Sequence, residues 1–191
     1  MKGTYIFLAN GFEETEAIAP ADMLRRGGAE VRTVSIYSDK YVTGAHGITV
    51  AADMTFGEFL ANADMSASDG SDIMVFPGGL PGATNLAEKT ELMDIMRKHY
   101  AEGGAVAAIC ASPGVVLTLL PEISGKKMTC YDGFDGPVTE KGAEYVKEGV
   151  VTDGKMITGR GPGFAIDFGL ALVAYLKGDA AAKEVKAGLL L

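Results

Sequence analysis

An α/β fold, a mostly parallel sheet with helices on both faces, is what this chain predicts, and three observations predict it. Short apolar runs alternate with longer amphipathic stretches along the sequence. The 26 glycines fall between those runs and not in tracts, so they read as tight turns and not as a flexible linker. At 191 residues the chain fits one domain, 1–191, and a chain of that size buries about 70% of its unfolded surface, enough for a substantial core.

The elements follow in order. Tyr5 to Ala9 is an apolar strand ended by Asn10-Gly11, and Ala17, Ala21 and Leu24 then recur at helical spacing behind the acids Glu13 to Glu16. Pro20 falls inside this helix and is expected to kink it or mark its true start. Arg25-Arg26-Gly27-Gly28 supplies a cationic, glycine-rich stop. Glu30 to Ile36 alternates as a second strand, and Val42 to Ala51 forms a small hairpin around Gly44 and Gly47. Asp64 to Ser71 is a polar loop, and Ile73 to Phe76 is a third strand entering Pro77-Gly78-Gly79. Leu92, Ile95, Met96 and His99 mark one face of an amphipathic helix over Thr90 to Ala101. Ala105 to Ile109 is a fourth strand, Ser112 to Leu120 a helix, and Lys127 to Cys130 another strand. Val150 to Thr158 is a strand pair turned at Asp153-Gly154, before a mostly apolar helix from Gly163 to Leu176. The chain shows no internal repeat.

A formal net charge of -8 with a pI near 4.8 argues against a binder of nucleic-acid phosphates or of an anionic membrane surface. No apolar run approaches membrane-spanning length. Two cysteines and no basic-then-apolar leader read as an intracellular, cytoplasmic protein with reduced thiols. Neither a clustered His/Cys ligand spacing nor a lysine after a phosphate-type glycine loop is present, so no metal and no nucleotide cofactor is expected.

Three strand ends are expected to converge: Gly11 to Glu16, Pro77-Gly78-Gly79, and Cys110. In such sheets ligands bind at the carboxyl ends of the strands. Cys110 follows a buried-strand run and precedes a helix start at Ala111-Ser-Pro-Gly114. Amide donors and the positive end of the next helix favour thiolate there, and comparable sites lower a cysteine pKa from about 8.5 to roughly 3.5–7.5. The alternative is a small buried hydrophobe. Gly78 and Gly79 allow backbone amides to turn toward an oxyanion, or simply make a tight turn. Glu13, Glu14 and Glu16 begin a helix, where acids are stabilised whatever their role; one of them, desolvated beside Cys110, would hold a proton and move it.

Gly11-Phe-Glu-Glu-Thr-Glu16, Val75-Phe-Pro-Gly-Gly79, Ala108-Ile-Cys-Ala-Ser-Pro113 and Gly159-Arg-Gly-Pro-Gly163 stand in the order found in the ThiJ/PfpI superfamily, and the chain resembles its Parkinson-associated, DJ-one-like deglycase and chaperone branch. The resemblance implies a flavodoxin-like three-layer sandwich, a homodimer, and a reactive cysteine on a strained strand-to-helix elbow. It implies that Cys110 is the nucleophile with Glu16 as its protonated hydrogen-bond partner. It implies that Gly78, Gly79 and the amide of Ala111 lie under the substrate oxygen, and that Arg160 and Pro162 belong to a loop near the site. Two departures limit it. The histidine that follows the cysteine in peptidase-like relatives is Ala111 here, and the pocket histidine of the deglycase-like branch corresponds to Tyr131. A Cys-His pair would need His46 or His99. His99 falls on the apolar stripe of a helix and reads as packed. His46, in Thr43-Gly-Ala-His-Gly47, corresponds to an interface loop and could complete a pocket across the dimer. Cys130, opposite in facing to Tyr131, is not expected to pair with Cys110.

The function so implied is a cysteine-dependent, glyoxalase- or deglycase-like enzyme acting on a small reactive carbonyl substrate. A non-enzymatic redox sensor or stress-response binding protein working through Cys110 oxidation is the alternative. A cysteine peptidase or amidotransferase-like hydrolase is the weaker one, because its adjacent histidine is missing.

Overall fold

A computed structural model describes all residues from Met1 to Leu191. Its frame is a seven-stranded sheet, built from β1 (Thr4–Leu8), β2 (Val31–Ser35), β5 (Met54–Thr55), β6 (Ile73–Phe76), β7 (Ala105–Ile109), β10 (Val150–Asp153) and β11 (Met156–Gly159), in the order β10-β11-β7-β6-β1-β2-β5. Every pairing is parallel except β10 with β11, the hairpin that closes one edge. Between the remaining strands run β3 (Tyr41–Thr43), β4 (Thr49–Ala51), β8 (Lys127–Met128) and β9 (Glu144–Tyr145), in two small ladders of their own.

Strands buried on both faces divide their side chains between two cores, because successive residues point to opposite sides. Tyr5, Phe7, Met74, Phe76, Val106 and Ala108 pack beneath α2 (Phe56–Asn62) and α4 (Thr90–Ala101). Ile6, Leu8, Ile73, Val75, Ala107 and Ile109 pack beneath α1 (Glu14–Arg26) and α7 (Ala165–Lys177). Helices therefore cover both faces, the three-layer arrangement expected. Helix α1 runs from Glu14 to Arg26 through Pro20, so Pro20 does not mark its start. Gly169 of α7 faces this stretch so closely that a Cβ there would lie 3.0 Å from the Pro20 Cα. The tight seam between the two helices holds the proline in place.

Three other expectations change. The helix expected over 112–120 is α5 (Ser112–Val115) followed by a 3-10 turn at Leu117–Leu119. The strand expected over 127–130 stops at Met128 and pairs with β9, outside the main sheet. Helices α2, α3 (Gly82–Glu88), α6 (Asp135–Glu140) and α8 (Asp179–Gly188) were not read from the sequence at all. Helix α2 did carry a local signal, a capping box in which Thr55 Oγ1 accepts the Glu58 amide and Glu58 accepts the Thr55 amide. No helix is long and apolar enough to cross a membrane.

Candidate active site

Strands β7, β6 and β1 are parallel neighbours at the centre of the sheet, so the segments after them meet at its carboxyl end. The chain leaves β1 toward β2 on one side and β6 lies on the other, which opens the crevice where such sheets bind ligands.

Cys110 follows the last residue of β7 at φ +65°, the left-handed region that a side chain avoids at a cost of roughly 1–2 kcal/mol. Two backbone bonds enforce it: the Cys110 amide donates to Gly159 O (2.9 Å), and the Tyr131 amide donates to Cys110 O (2.8 Å). Ser112 adds a buried hydroxyl that donates to Pro77 O, tying the elbow to the loop after β6.

Glu16 is fully buried, and its Oε2 accepts the Gly78 amide at 2.9 Å. Its Oε1 has no partner of hydrogen-bonding geometry. Gly78 stands between acid and thiol, since a Cβ there would lie 2.6 Å from both Cys110 Cβ and Glu16 Oε2. No other residue fits. Gly79, at φ +85°, lies equally close to the loop after β1, where a Cβ would come 2.3 Å from the Glu13 amide nitrogen.

The electrostatics correct the expected thiolate. Burial, then the Glu16 charge and the closeness of its carboxyl, push the Cys110 thiol up to about 12, against the opposing pull of the Gly79 and Ala111 amides. Burial also pushes Glu16 up to about 7, although the neighbouring Cys110 thiol and the bond from the Gly78 amide pull it down. The following helix has only four residues, too short to offset the desolvation of the sulfur. The pair loses its first proton near neutrality and resists losing the second, and that first step belongs to both groups together. The oxyanion expectation changes too: the Gly78 amide is committed to Glu16, while those of Gly79 and Ala111 face the sulfur.

His46 does not reach Cys110 within its own chain. Its Nδ1 lies 2.9 Å from Glu14 Oε2 and 3.2 Å from Glu13 Oε2, and its amide donates to Glu14 Oε1 at 2.8 Å. The Glu14 bond, then the charges of Glu13 and Glu14, raise the imidazole pKa. Burial alone would raise Glu14, but bonds from the His46 ring, its own amide and the amides of His46 and Ile48 outweigh it and hold that carboxyl near 2. Donor atoms of Glu13, Glu14 and His46 lie within 4.8 Å of one another, the one side-chain group spaced as metal ligands are. Thirty-odd residues of sequence separation hid that grouping. His99 is buried as read, its Nε2 on Ala105 O at 3.0 Å and its pKa lowered by burial.

Tyr131 is exposed and Cys130 fully buried, as opposite facing requires, and both cysteines are free. Arg160 clamps Asp132, with Nη2 2.7 Å and Nε 3.2 Å from Oδ1, and Lys147 approaches the other oxygen at 3.3 Å. Tyr131, Asp132 and the run Arg160 to Phe164 line a cavity of about 270 Å³ beside the elbow. A larger hollow of about 350 Å³, lined by Met1, Leu60, Ile95 and His99 among others, lies at the opposite ends of the strands, away from this chemistry.

Comparison with known proteins gives a consistent result. The model of the DJ-1/PfpI family matches residues 2–175. Protein DJ-1 homolog A of Arabidopsis thaliana is 35% identical over 100% of this chain, which spans only 47% of that relative's length. Deglycase PfpI of Pyrococcus furiosus is 35% identical over 81% of this chain and 87% of its own. The crystal structure of Drosophila melanogaster DJ-1beta superposes with a TM-score of 0.88 at 32% identity, covering 100% of this chain and 98% of that one.

Proposed function

The chain belongs to the DJ-1/PfpI family, and from that premise we propose that it is a glyoxalase- or deglycase-like enzyme that adds the Cys110 sulfur to small 2-oxoaldehydes. The observation that carries this reading is the pairing of buried Glu16 with half-buried Cys110 on either side of Gly78. A thiol that keeps its proton needs a base at hand, and a carboxyl with a pKa near 7 is matched to accept that proton at neutral pH.

In the first step the Glu16 carboxylate takes the thiol proton as the sulfur–carbon bond forms at the aldehyde. The carbonyl π pair moves to oxygen, where the amides of Gly79 and Ala111 are the available donors, and Glu16 returns its proton to give a neutral hemithioacetal. One such donor is worth about 10²–10³ in rate elsewhere. The carboxylate then shifts the proton from the former aldehyde carbon to the adjacent carbonyl carbon through an enediol, leaving a thioester of a 2-hydroxy acid. Water releases the acid and restores the thiol. One carbon is oxidised and its neighbour reduced, so no external oxidant or cofactor enters. The "deglycase" in the name of the Pyrococcus relative is compatible with this carbonyl chemistry.

Conversion of methylglyoxal to lactate by wild type and by Cys110→Ser tests it. Loss of at least 10³-fold in kcat/KM is expected for a covalent nucleophile; equal rates would sink the reading. Redox sensing through Cys110 needs the form of the pair in which the sulfur, not Glu16, has lost the shared proton, and burial of the sulfur works against that form. We also propose a homodimer in a reducing cytoplasm. Exposed Ile18 on α1 and Tyr41 and Ile48 on the β3–β4 hairpin support the dimer, and light scattering on the purified chain decides it.

A further inference from the structure

We infer that the cavity lined by Tyr131, Arg160, Pro162 and Phe164 is a substituent pocket of the Cys110 site, shaped for a planar aromatic group, which makes aryl-substituted 2-oxoaldehydes the preferred substrates. This rests on the carbonyl chemistry proposed above and specifies what the carbonyl carries.

Position comes first. The backbone bonds that fix the elbow join Cys110 to Tyr131 and to Gly159. The two segments lining the cavity, 131–132 and 160–164, therefore begin beside the Cys110 backbone.

Shape follows from two glycines. The Tyr131 ring lies over Gly161, where a Cβ would sit 3.2 Å from Cδ2, and the Phe164 ring lies over Gly149, where a Cβ would sit 2.4 Å from Cδ1. Each ring is laid on backbone and keeps its other side free: Tyr131 is 49% and Phe164 37% exposed. Aromatic side chains of this size are mostly buried in folded proteins. The space available, about 270 Å³, exceeds the roughly 150 Å³ that suffices to hold a benzene ring in an apolar protein cavity.

Charge separates an aromatic substituent from an anionic one. Of the side chains lining the cavity only Arg160 and Asp132 are charged; Arg160 clamps Asp132 through two nitrogens, and Lys147, outside the lining, approaches the other oxygen of the same carboxylate at 3.3 Å. Both cations are held on the Asp132 carboxylate, so neither projects as a free partner for an anionic substituent. The planar guanidinium, fixed by that clamp, is itself a surface on which a ring stacks.

The test compares initial rates of phenylglyoxal and methylglyoxal turnover, taken before arylglyoxal modifies arginine, in wild type, Phe164→Ala and Tyr131→Ala. A single methylene in an apolar pocket is worth about 10-fold or more in kcat/KM. Phenylglyoxal is expected to lead by at least that factor, and the ratio to fall several-fold in each variant. A ratio that stays the same in both variants overturns the pocket while Cys110-dependent turnover leaves the chemistry standing. A binding arm tests the pocket even if no aldehyde is turned over. Acetophenone, which cannot complete the reaction, should shift the amide resonances of Tyr131, Gly161 and Phe164 saturably, at the weak affinity a fragment of its size reaches. That saturation should be lost in Phe164→Ala. Shifts that are absent, or that fall elsewhere, overturn the inference.

Discussion

Replacing Glu16 by Gln should change how stability depends on pH, by an amount that follows from its burial. In the folded protein the carboxyl holds its proton up to about 7, against a reference of 4.5. Being raised, it contributes stability that is full below pH 4.5 and lost as pH rises through 7, because the folded state binds more protons than the unfolded one across that window. A displacement of about 2.5 units at 1.36 kcal/mol each amounts to about 3 kcal/mol. The Gln side chain keeps the acceptor for the Gly78 amide and has no proton to lose. Urea unfolding followed by circular dichroism at pH 5, 6, 7 and 8 measures the effect as wild type minus E16Q, a difference in which the titrating groups outside the Cys110–Glu16 pair cancel. That difference should fall by about 2–3 kcal/mol between pH 5 and 8, most of it below 7. The same variant removes the charge that opposes thiolate formation, so thiolate absorbance should appear at lower pH than in wild type. A difference flat in pH, or one that rises, would refute the argument that burial governs the pair.

Three further outcomes follow from the same geometry. Glu14→Ala should cost about 1–2 kcal/mol, because the His46 and Ile48 amides it accepts are exposed enough to turn to water. Faster amide exchange confined to residues 44–48 would identify the loss; and since the Glu14 pKa is depressed to about 2, the wild-type advantage should disappear as pH falls from 4.5 toward 2. Gly78→Ala should destabilise by about 3 kcal/mol through overpacking, read by urea midpoint, and should abolish turnover by parting the acid from the thiol; an active, stable variant would contradict the 2.6 Å clearances. His99 has a lowered pKa, so wild type should lose stability as pH falls below its unfolded value near 6.5, and His99→Gln should lack that slope in paired unfolding curves at pH 5 and 7.

The parts legible in the sequence are those set by local pattern. Ile73–Phe76 and Ala105–Ile109 coincide with observed strands because they are apolar runs bounded by turn residues, and Asp153-Gly154 turns its hairpin where expected. Cys110, Glu16 and Gly79 could be placed because each follows a strand end, and neighbouring parallel strands bring their ends together. What failed depends on the third dimension. The Gly78 amide looked like an oxyanion donor until its distance to Glu16 Oε2 showed it occupied. The thiolate inferred from a helix start gave way to desolvation, which no spacing reports. Lys127–Met128 has the pattern of a strand, but nothing local says which partner it takes, and it takes β9. Helix α6 begins at Asp135 in a run of glycine and proline that reads as loop, and its tertiary setting overrides that propensity.

The strain at Cys110 and the sharing of its proton have one cause. A left-handed cysteine costs roughly 1–2 kcal/mol, and the two backbone bonds to Gly159 and Tyr131 offset it at about 1 kcal/mol apiece. Those bonds fix the backbone from which the sulfur projects. Gly78, with no room for a Cβ, brings the Glu16 carboxyl up against it from the other side, and the burial that results raises both groups. Relaxing the elbow would solvate the pair, and solvation would return each group toward its ordinary pKa. Glu16 would then be fully ionised at pH 7 and a poor donor to an oxyanion, while Cys110 would lose its adjacent base. The backbone conformation is thus what makes a carboxyl titrating near 7 available to a thiol, and the two cannot be altered separately.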